Sequence, residues 1–107
     1  MTGLSDGEAQ GGQQVTFKKN DNGKLRFSLL PIAALKAMMR AFLYGAQKYG
    51  AGNWRNCEDP DRYYDACIRH LMAWKAGELI DEESGNFHLD HAIASLAMLI
   101  GLLEPKP

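Results

Sequence analysis

The most constraining feature of this sequence is a run of twelve residues, Ala92 to Leu103, that contains no charged side chain. A helix formed by this run is apolar on every face, so it must be covered on all sides. The run is shorter than the roughly 18 residues that cross a bilayer. It therefore predicts a buried helix in a folded domain, and we expect no membrane partner.

Two further stretches show the periodicity of a helix. Apolar residues recur at spacings of four and three over about 31–49, and Pro31 suits the first turn of that helix. Asp59 and Pro60 predict the start of a second helix, which continues to about Glu78. The third helix covers about 87–104. The sequence thus predicts an all-α fold with three main helices.

The N-terminal part of the chain has a different composition. Residues 1–23 are rich in Gly, Gln and Ser at the start, which predicts a flexible tail. Alternating apolar residues on both sides of a turn-forming cluster favour either a small hairpin or an extended arm anchored by Leu25 and Phe27. We assign residues 24–107 to a single all-α domain.

The third helix also predicts self-association. Two other helices are too few to cover all of its faces, so a second copy of the chain is expected to complete the helical bundle. Ala94, Ala97 and Gly101 offer a face of small residues for close approach. We expect a homodimer or a higher oligomer.

Charge and cysteine content exclude some function classes. The net charge is −1, which gives no general electrostatic basis for binding nucleic acid, and we expect no sequence-specific nucleic-acid partner. Cys57 and Cys67 have no metal-ligand spacing, so free thiols in a cytoplasmic protein are expected. Residues 1–58 carry eight basic and four acidic side chains, whereas residues 59–107 carry four and nine. The net charge near zero is therefore the sum of a basic N-terminal half and an acidic C-terminal half.

The acidic half contains all three histidines. On the third helix, His88 and His91 lie about 60° apart, whereas Asp90 points about 160° away from His88. If the second and third helices form an antiparallel hairpin, four acids fall at the same end as these two imidazoles. Those acids are Glu78, Asp81, Glu82 and Glu83. This combination is typical of a divalent cation site, although the acids also suit a solvated turn.

His70 is harder to interpret. It lies on the apolar stripe of the second helix, two turns or about 12 Å before Glu78. It is a core residue, a substrate contact or a ligand of an elongated site, and the sequence leaves these alternatives open.

The basic half offers groups that could meet a phosphate ester. Lys24, Arg26 and Lys48 are candidate phosphate contacts, and Tyr49 or Trp54 could stack on a base. Lys36 and Arg40 lie one turn apart on the polar face of the first helix, and we interpret them as a solvated face.

Several motifs together carry a resemblance to a known family. They are KLRFSLLP (24–31), YGAQKYG (44–50) with NW (53–54), RYYDA (62–66), RHLMAW (69–74), GELIDEESG (77–85) and HLDHA (88–92). The run from Lys24 to Glu104 resembles the phage-associated dATP/dGTP diphosphohydrolase N-terminal domain family. That family looks like a distant relative of the MazG-like all-α nucleotide pyrophosphohydrolases.

The resemblance implies cleavage of a purine deoxynucleoside triphosphate between the α and β phosphates, with Mg²⁺ or Mn²⁺. From the positions of the residues we assign metal ligands at Glu78, Asp81, Glu83, His88 and His91, and catalytic roles at Glu82, Glu83 and His70. We assign substrate contacts at Lys24, Arg26, Lys48, Tyr49, Asn53, Trp54 and Arg69. MazG-like enzymes hold metal with two acidic pairs, and His88 and His91 stand in the place of the second pair, so a histidine-preferring transition metal is an alternative. A non-catalytic oligomerisation or regulatory phage protein and a metal phosphatase or triphosphohydrolase are the alternative functions.

Overall fold

The computed structural model describes residues 15–105, which contain three α-helices and no strand. The helices are α1 (Ile32–Tyr49), α2 (Asp61–Lys75) and α3 (His88–Leu103), with short 3₁₀ turns at Phe27–Leu29 and Asn53–Asn56. The predicted all-α fold with three main helices is confirmed. The first 14 residues of the predicted tail lie outside the described residues.

The segment before α1 is an extended arm. Lys24 N donates to Asp21 O at 3.0 Å in a turn, but residues 15–26 form no strand on either side of it. A two-stranded hairpin without a sheet to pack on is only marginally stable, which explains why the hairpin alternative does not form. The expected anchors of the arm, Leu25 and Phe27, are 81% and 69% exposed, so they are not buried within this chain.

Glycine in the left-handed region terminates the first two helices. Gly50 has φ 97° directly after α1, and Gly77 has φ 101° shortly after α2. Helix α2 ends at Lys75, three residues before the predicted end near Glu78. The backbone reversal at Gly77 is favourable because glycine has no Cβ to clash in this conformation. Glu78 therefore belongs to the loop and not to the helix.

The loop of residues 76–87 makes α2 and α3 an antiparallel hairpin, as the sequence predicts. His88 N donates to Leu79 O at 2.9 Å, and Asp81 N donates to Asn86 O at 2.8 Å. These bonds fold residues 79–88 back on themselves. The acidic loop is thereby held against the first turn of α3.

Helix α3 packs against both α1 and α2. Its buried residues are His88, Asp90, Ala92, Ala94 and Ser95, so polar side chains make up much of the core. Among residues 15–105 the only fully buried apolar side chains are Ala41, Ala92 and Ala94. None of the helices in this range combines the length and the hydropathy needed to cross a bilayer.

An ion pair between a buried carboxylate and an exposed guanidinium joins α1 to α3. Asp90 is 1% exposed and accepts hydrogen bonds from Nε and Nη2 of Arg40, both at 2.8 Å. Asp90 Oδ2 also accepts from Phe87 N at 3.3 Å, which caps the start of α3. Arg40 is exposed, as its interpretation as part of a solvated face predicts, but the helix period did not reveal its partner Asp90, 50 residues away.

Part of the small-residue face of α3 is covered by residues of the same chain. A Cβ placed on Gly101 would lie 2.6 Å from Cη2 of Trp54, and Ala94 is 2% exposed. Ala94 is therefore unavailable to a second copy, and the Trp54 ring occupies the space beside Gly101 that a Cβ would need. Ala97 and Gly101 are not buried in this chain, and the approach of a second copy there stays a prediction.

Candidate functional site

Three histidines and one aspartate meet beside the α2–α3 loop. Nδ1 of His70 on α2 lies 2.9 Å from Nδ1 of His88 on α3, and the ring of His70 stacks on His91 with centroids 4.8 Å apart. Asp81 Oδ2 in the loop lies 3.6 Å from Nε2 of His91. We call His70, Asp81, His88 and His91 the imidazole–carboxylate cluster. The structure thus brings together His88, His91 and Asp81, as the sequence predicts, and adds His70.

His70 lies closer to the loop than its position on α2 suggests. One candidate ligand atom from each of His70, Asp81 and His88 lies within 4.8 Å of the others. The predicted axial distance between His70 and Glu78 does not keep His70 away from the loop acids. The reason is that α2 ends earlier than predicted and the loop folds back toward the helix. The cluster is therefore compact and not elongated.

Ser84 organises the cluster, and the sequence analysis missed it. Its Oγ donates to Asp81 Oδ2 at 2.8 Å, accepts from Asn86 N at 3.1 Å and lies 2.6 Å from His91 Nε2. Ser84 N also donates to Asp81 Oδ2 at 3.1 Å. The available signal was the spacing, since an Asp followed three residues later by Ser in a turn is typical of side-chain to backbone bonding.

Burial and hydrogen bonding shift two pKa values in the cluster. Burial, together with the neighbouring imidazoles, lowers the pKa of His70, which favours its neutral form. Burial opposes ionisation of Asp81, but the hydrogen bonds from Ser84 outweigh it and lower the pKa of this carboxyl. A neutral imidazole and an ionised carboxylate are the forms that bind a cation.

Glu78 approaches the cluster from the outer side of His88. Its Oε1 lies 3.4 Å from Nε2 of His88, the nitrogen that faces away from His70. The Glu78 side chain is 69% exposed, whereas the His88 side chain is 8% exposed. Glu78 thus lies at the solvent-exposed edge of the cluster.

Glu83 and Lys48 pair with each other at the surface. Lys48 Nζ donates to Glu83 Oε2, and Tyr44 OH donates to the same oxygen at 2.9 Å. This pairing lowers the pKa of Glu83 and raises the pKa of Lys48. Neither side chain joins the imidazole–carboxylate cluster among the described residues, and Glu82 is exposed to solvent.

A large open cavity of about 1370 Å³ lies between the helices and reaches the cluster. Its lining includes four of the predicted substrate residues and two of the histidines: Tyr49, Asn53, Trp54, Arg69, His70 and His91. Lys24 and Arg26 lie on the exposed arm and do not line the cavity within the described part of the chain. The ring of Trp54 packs edge-to-face on Phe42 at 6.3 Å, with the Arg55 guanidinium 4.6 Å away.

Comparison with known proteins places this chain in a family. The sequence profile of "dATP/dGTP diphosphohydrolase, N-terminal" matches residues 14–106. The chain belongs to this diphosphohydrolase N-terminal family. A relative is the dATP/dGTP diphosphohydrolase of Salmonella phage PMBT28, which is 33% identical over 93 residues. The match covers 87% of this chain and 32% of the phage protein.

This diphosphohydrolase N-terminal domain therefore spans about a third of the length of the phage relative. No solved structure matches it.

The cluster fits the divalent cation that the family resemblance implies. His88 Nε2 is buried without a hydrogen-bond partner among residues 15–105, which signals an incomplete polar site. Two imidazole nitrogens face each other beside the ionised Asp81, and no lysine or arginine within residues 15–105 forms an ion pair with that carboxylate. The donor groups of this domain are thus of the kind that hold a metal.

Proposed function

We propose that this domain carries out metal-dependent hydrolysis of purine deoxynucleoside triphosphates to the monophosphate and pyrophosphate. Family membership and the name of the phage relative, dATP/dGTP diphosphohydrolase, support the substrate class. The free thiols Cys57 and Cys67 suit a reducing cytoplasm, where we place the reaction.

One observation carries the proposal: the candidate nucleotide contacts border the same cavity as His70 and His91, two members of the imidazole–carboxylate cluster. Tyr49 and Asn53 lie on its wall together with His70 and His91. The volume of the cavity, about 1370 Å³, exceeds the roughly 300–1,000 Å³ of ordinary ligand pockets and is large enough for a nucleoside triphosphate. A substrate bound there can place its base near Tyr49 and Asn53 and its phosphates near the cluster.

The basic side chains differ in how readily they could contact a phosphate. Arg69 precedes His70 on α2 and lines the cavity, so its guanidinium is available to a phosphate oxygen. Lys48 is already paired with Glu83, so a phosphate would have to compete with that carboxylate. Contacts from Lys24 and Arg26 stay predictions, because both lie on the arm outside the cavity lining.

The three acids Asp81, Glu82 and Glu83 suit different roles in catalysis. Asp81, held ionised by Ser84, is the carboxylate best placed to bind a cation, which when bound supplies an activated water and neutralises phosphate charge. Glu83 is a poor general base because its pairing with Lys48 lowers its pKa. Glu82 is exposed beside Asp81 and takes the general-base role in this proposal.

The test is hydrolysis of each deoxynucleoside triphosphate by the purified chain with Mg²⁺ or Mn²⁺. We expect dAMP or dGMP with pyrophosphate, and we expect Asp81→Asn to lower the rate at least about 100-fold because it removes an ionised oxygen ligand. Asp65→Asn is the matched control, since Asp65 is an exposed acid of α2 outside the cavity lining, and its rate should stay unchanged.

The products separate the alternatives. Tripolyphosphate or orthophosphate would replace the proposed reaction with a triphosphohydrolase or phosphatase. Absence of any product from every nucleotide, with and without metal, would leave a regulatory or oligomerisation role.

We also propose that the domain functions as a homodimer or higher oligomer. Three fully buried alanines are too small an apolar core to stabilise residues 15–105 alone. Leu96, Ile100 and Leu103 form an exposed stripe on α3 at spacings of four and three, with exposures of 48%, 60% and 65%. Covering this stripe with a second copy removes apolar surface from water.

We expect light scattering at micromolar concentration to give at least twice the mass of the chain. Ile100→Glu should shift the mass toward the monomer, because a charge in the interface is costly to bury. The matched substitution Tyr64→Glu, at an exposed position of α2, should not change it. A monomeric unmodified chain would contradict this proposal.

A further inference from the structure

We infer that His70, Asp81 and His88 bind a divalent first-row transition metal, with His91 and Glu78 positioning these ligands instead of binding the ion. The role of this ion rests on the proposed hydrolase function. The inference assigns His70 a definite role and leaves Glu78, Glu83 and His91 out of the predicted ligand set.

The first argument is the geometry of the two imidazoles. Nδ1 of His70 and Nδ1 of His88 lie 2.9 Å apart, and each offers a lone pair only when it carries no proton. Two nitrogens that share a tetrahedral ion at about 2.0–2.1 Å are roughly 3.4 Å apart. A small outward movement of the rings therefore admits an ion, with Asp81 close enough to contribute a third ligand atom.

Hydrogen-bond accounting excludes Nε2 of His91. The Ser84 hydroxyl has one proton, which it donates to Asp81 Oδ2 at 2.8 Å, and it accepts from Asn86 N. His91 Nε2 lies 2.6 Å from the same oxygen, so it must be the donor in that contact. A nitrogen that carries this proton has no lone pair for a metal, and His91 therefore orients Asp81 through Ser84.

His91 also fixes the position of His70. The two rings stack with centroids 4.8 Å apart and planes inclined by 21°. Stacking restrains the rotation of the His70 ring, which keeps its Nδ1 directed at His88. His91 thus supports two of the three proposed ligands without binding the ion.

Glu78 plays the corresponding role for His88. When Nδ1 of His88 binds an ion, its Nε2 must carry the proton, and Glu78 Oε1 lies 3.4 Å from that nitrogen. A carboxylate beside the outer nitrogen of a metal-binding histidine is a common supporting contact. This pairing would satisfy the Nε2 atom that has no hydrogen-bond partner within the described residues.

The donor set determines the class of metal. Two imidazoles and one carboxylate suit Mn²⁺, Fe²⁺, Co²⁺, Ni²⁺ or Zn²⁺, whereas Mg²⁺ prefers oxygen ligands and retains its waters. We therefore expect the nucleotide-free protein to bind Co²⁺ or Zn²⁺ at least about tenfold more tightly than Mg²⁺.

The test is calorimetric titration of the metal-stripped protein with each metal salt alone, combined with pulsed electron paramagnetic resonance of the Mn²⁺-loaded protein. The unmodified protein should show couplings from two imidazole nitrogens. His70→Gln and His91→Gln form a matched pair of variants. Glutamine at position 91 can still donate to Ser84, so this variant should keep two couplings and lose at most about tenfold in affinity.

His70→Gln should keep one coupling and lose more than about 100-fold in Co²⁺ affinity, beyond the usual effect of a supporting residue. Circular dichroism in chelator checks that both variants remain folded. Should either variant fail to fold, the nitrogen couplings of the unmodified protein decide. No nitrogen coupling, equal affinity for Mg²⁺ and Co²⁺, or loss of a coupling in His91→Gln would overturn the inference.

The titrations contain no nucleotide, which separates this inference from the proposed function. Metal binding through two imidazoles without hydrolysis would disprove the hydrolase and leave the site standing. Hydrolysis supported by Mg²⁺ alone, with no coupling to nitrogen, would support the hydrolase and disprove the site.

Discussion

Asp90→Ala is expected to lower the free energy of unfolding by about 3 kcal/mol. Asp90 is 1% exposed, accepts two hydrogen bonds from Arg40 and caps α3 at Phe87. The substitution removes all three bonds and leaves a small cavity between α1 and α3. Hydrogen bonds to a charged group contribute about 1.5–3 kcal/mol and the cap about 1 kcal/mol, and no charge is left buried because the Arg40 side chain is 43% exposed.

A loss of about 3 kcal/mol corresponds to a decrease of about 15 °C in the midpoint of thermal unfolding for a domain of this size. Asp65→Ala, at an exposed position of α2, should change the free energy of unfolding by less than about 0.5 kcal/mol. If Asp90→Ala melts within a few degrees of the unmodified protein, the Arg40 pair does not hold α1 on α3.

The order and the approximate ends of the helices could be predicted from local signals. Pro31 is the N-cap of α1, and α3 begins and ends within a residue of its predicted limits. Helix periodicity and capping residues act over one or two turns, so a single sequence contains this information. The end of α2 was predicted three residues too late, since Gly77 stops the helix while the apolar pattern continues.

The contacts between helices could not be predicted from the sequence. Arg40 and Asp90 are separated by 50 residues, and periodicity places each on a face without naming the partner. Asp90 was correctly directed away from His88, but its burial follows from how α1 lies on α3. Trp54 lies in a loop, and only the packed structure shows that it covers Gly101.

The candidate site was predicted in part for the same reason. His88 and His91 share a helix turn, so their convergence followed from geometry alone. The position of His70 depended on the path of the loop, which a distance along the helix axis does not describe. Ser84 gains its importance only when one oxygen meets Asp81, Asn86 and His91 together.

Gly101→Ala is expected to lower the free energy of unfolding by about 2 kcal/mol, even though alanine favours helices. The new Cβ would lie 2.6 Å from Cη2 and 2.8 Å from Cζ3 of Trp54. The ring cannot retreat freely because its other contacts include Phe42 and the Arg55 guanidinium. To relieve this clash, either the Trp54 ring moves away from Gly101 or the 3₁₀ turn at Asn53–Asn56 moves away from α3.

Gly45→Ala provides a control with the opposite expected sign. Gly45 lies in α1, and no heavy atom lies within 4 Å of a Cβ built there, so alanine should stabilise the helix by up to about 1 kcal/mol. Urea unfolding followed by Trp54 fluorescence, in a Trp74→Phe background, measures both variants. If Gly101→Ala stabilises the domain as Gly45→Ala does, the Trp54 ring does not pack against α3 at Gly101. That ring would then be free to stack on a nucleotide base, whereas a ring fixed against Gly101 leaves Tyr49 as the better candidate for that contact.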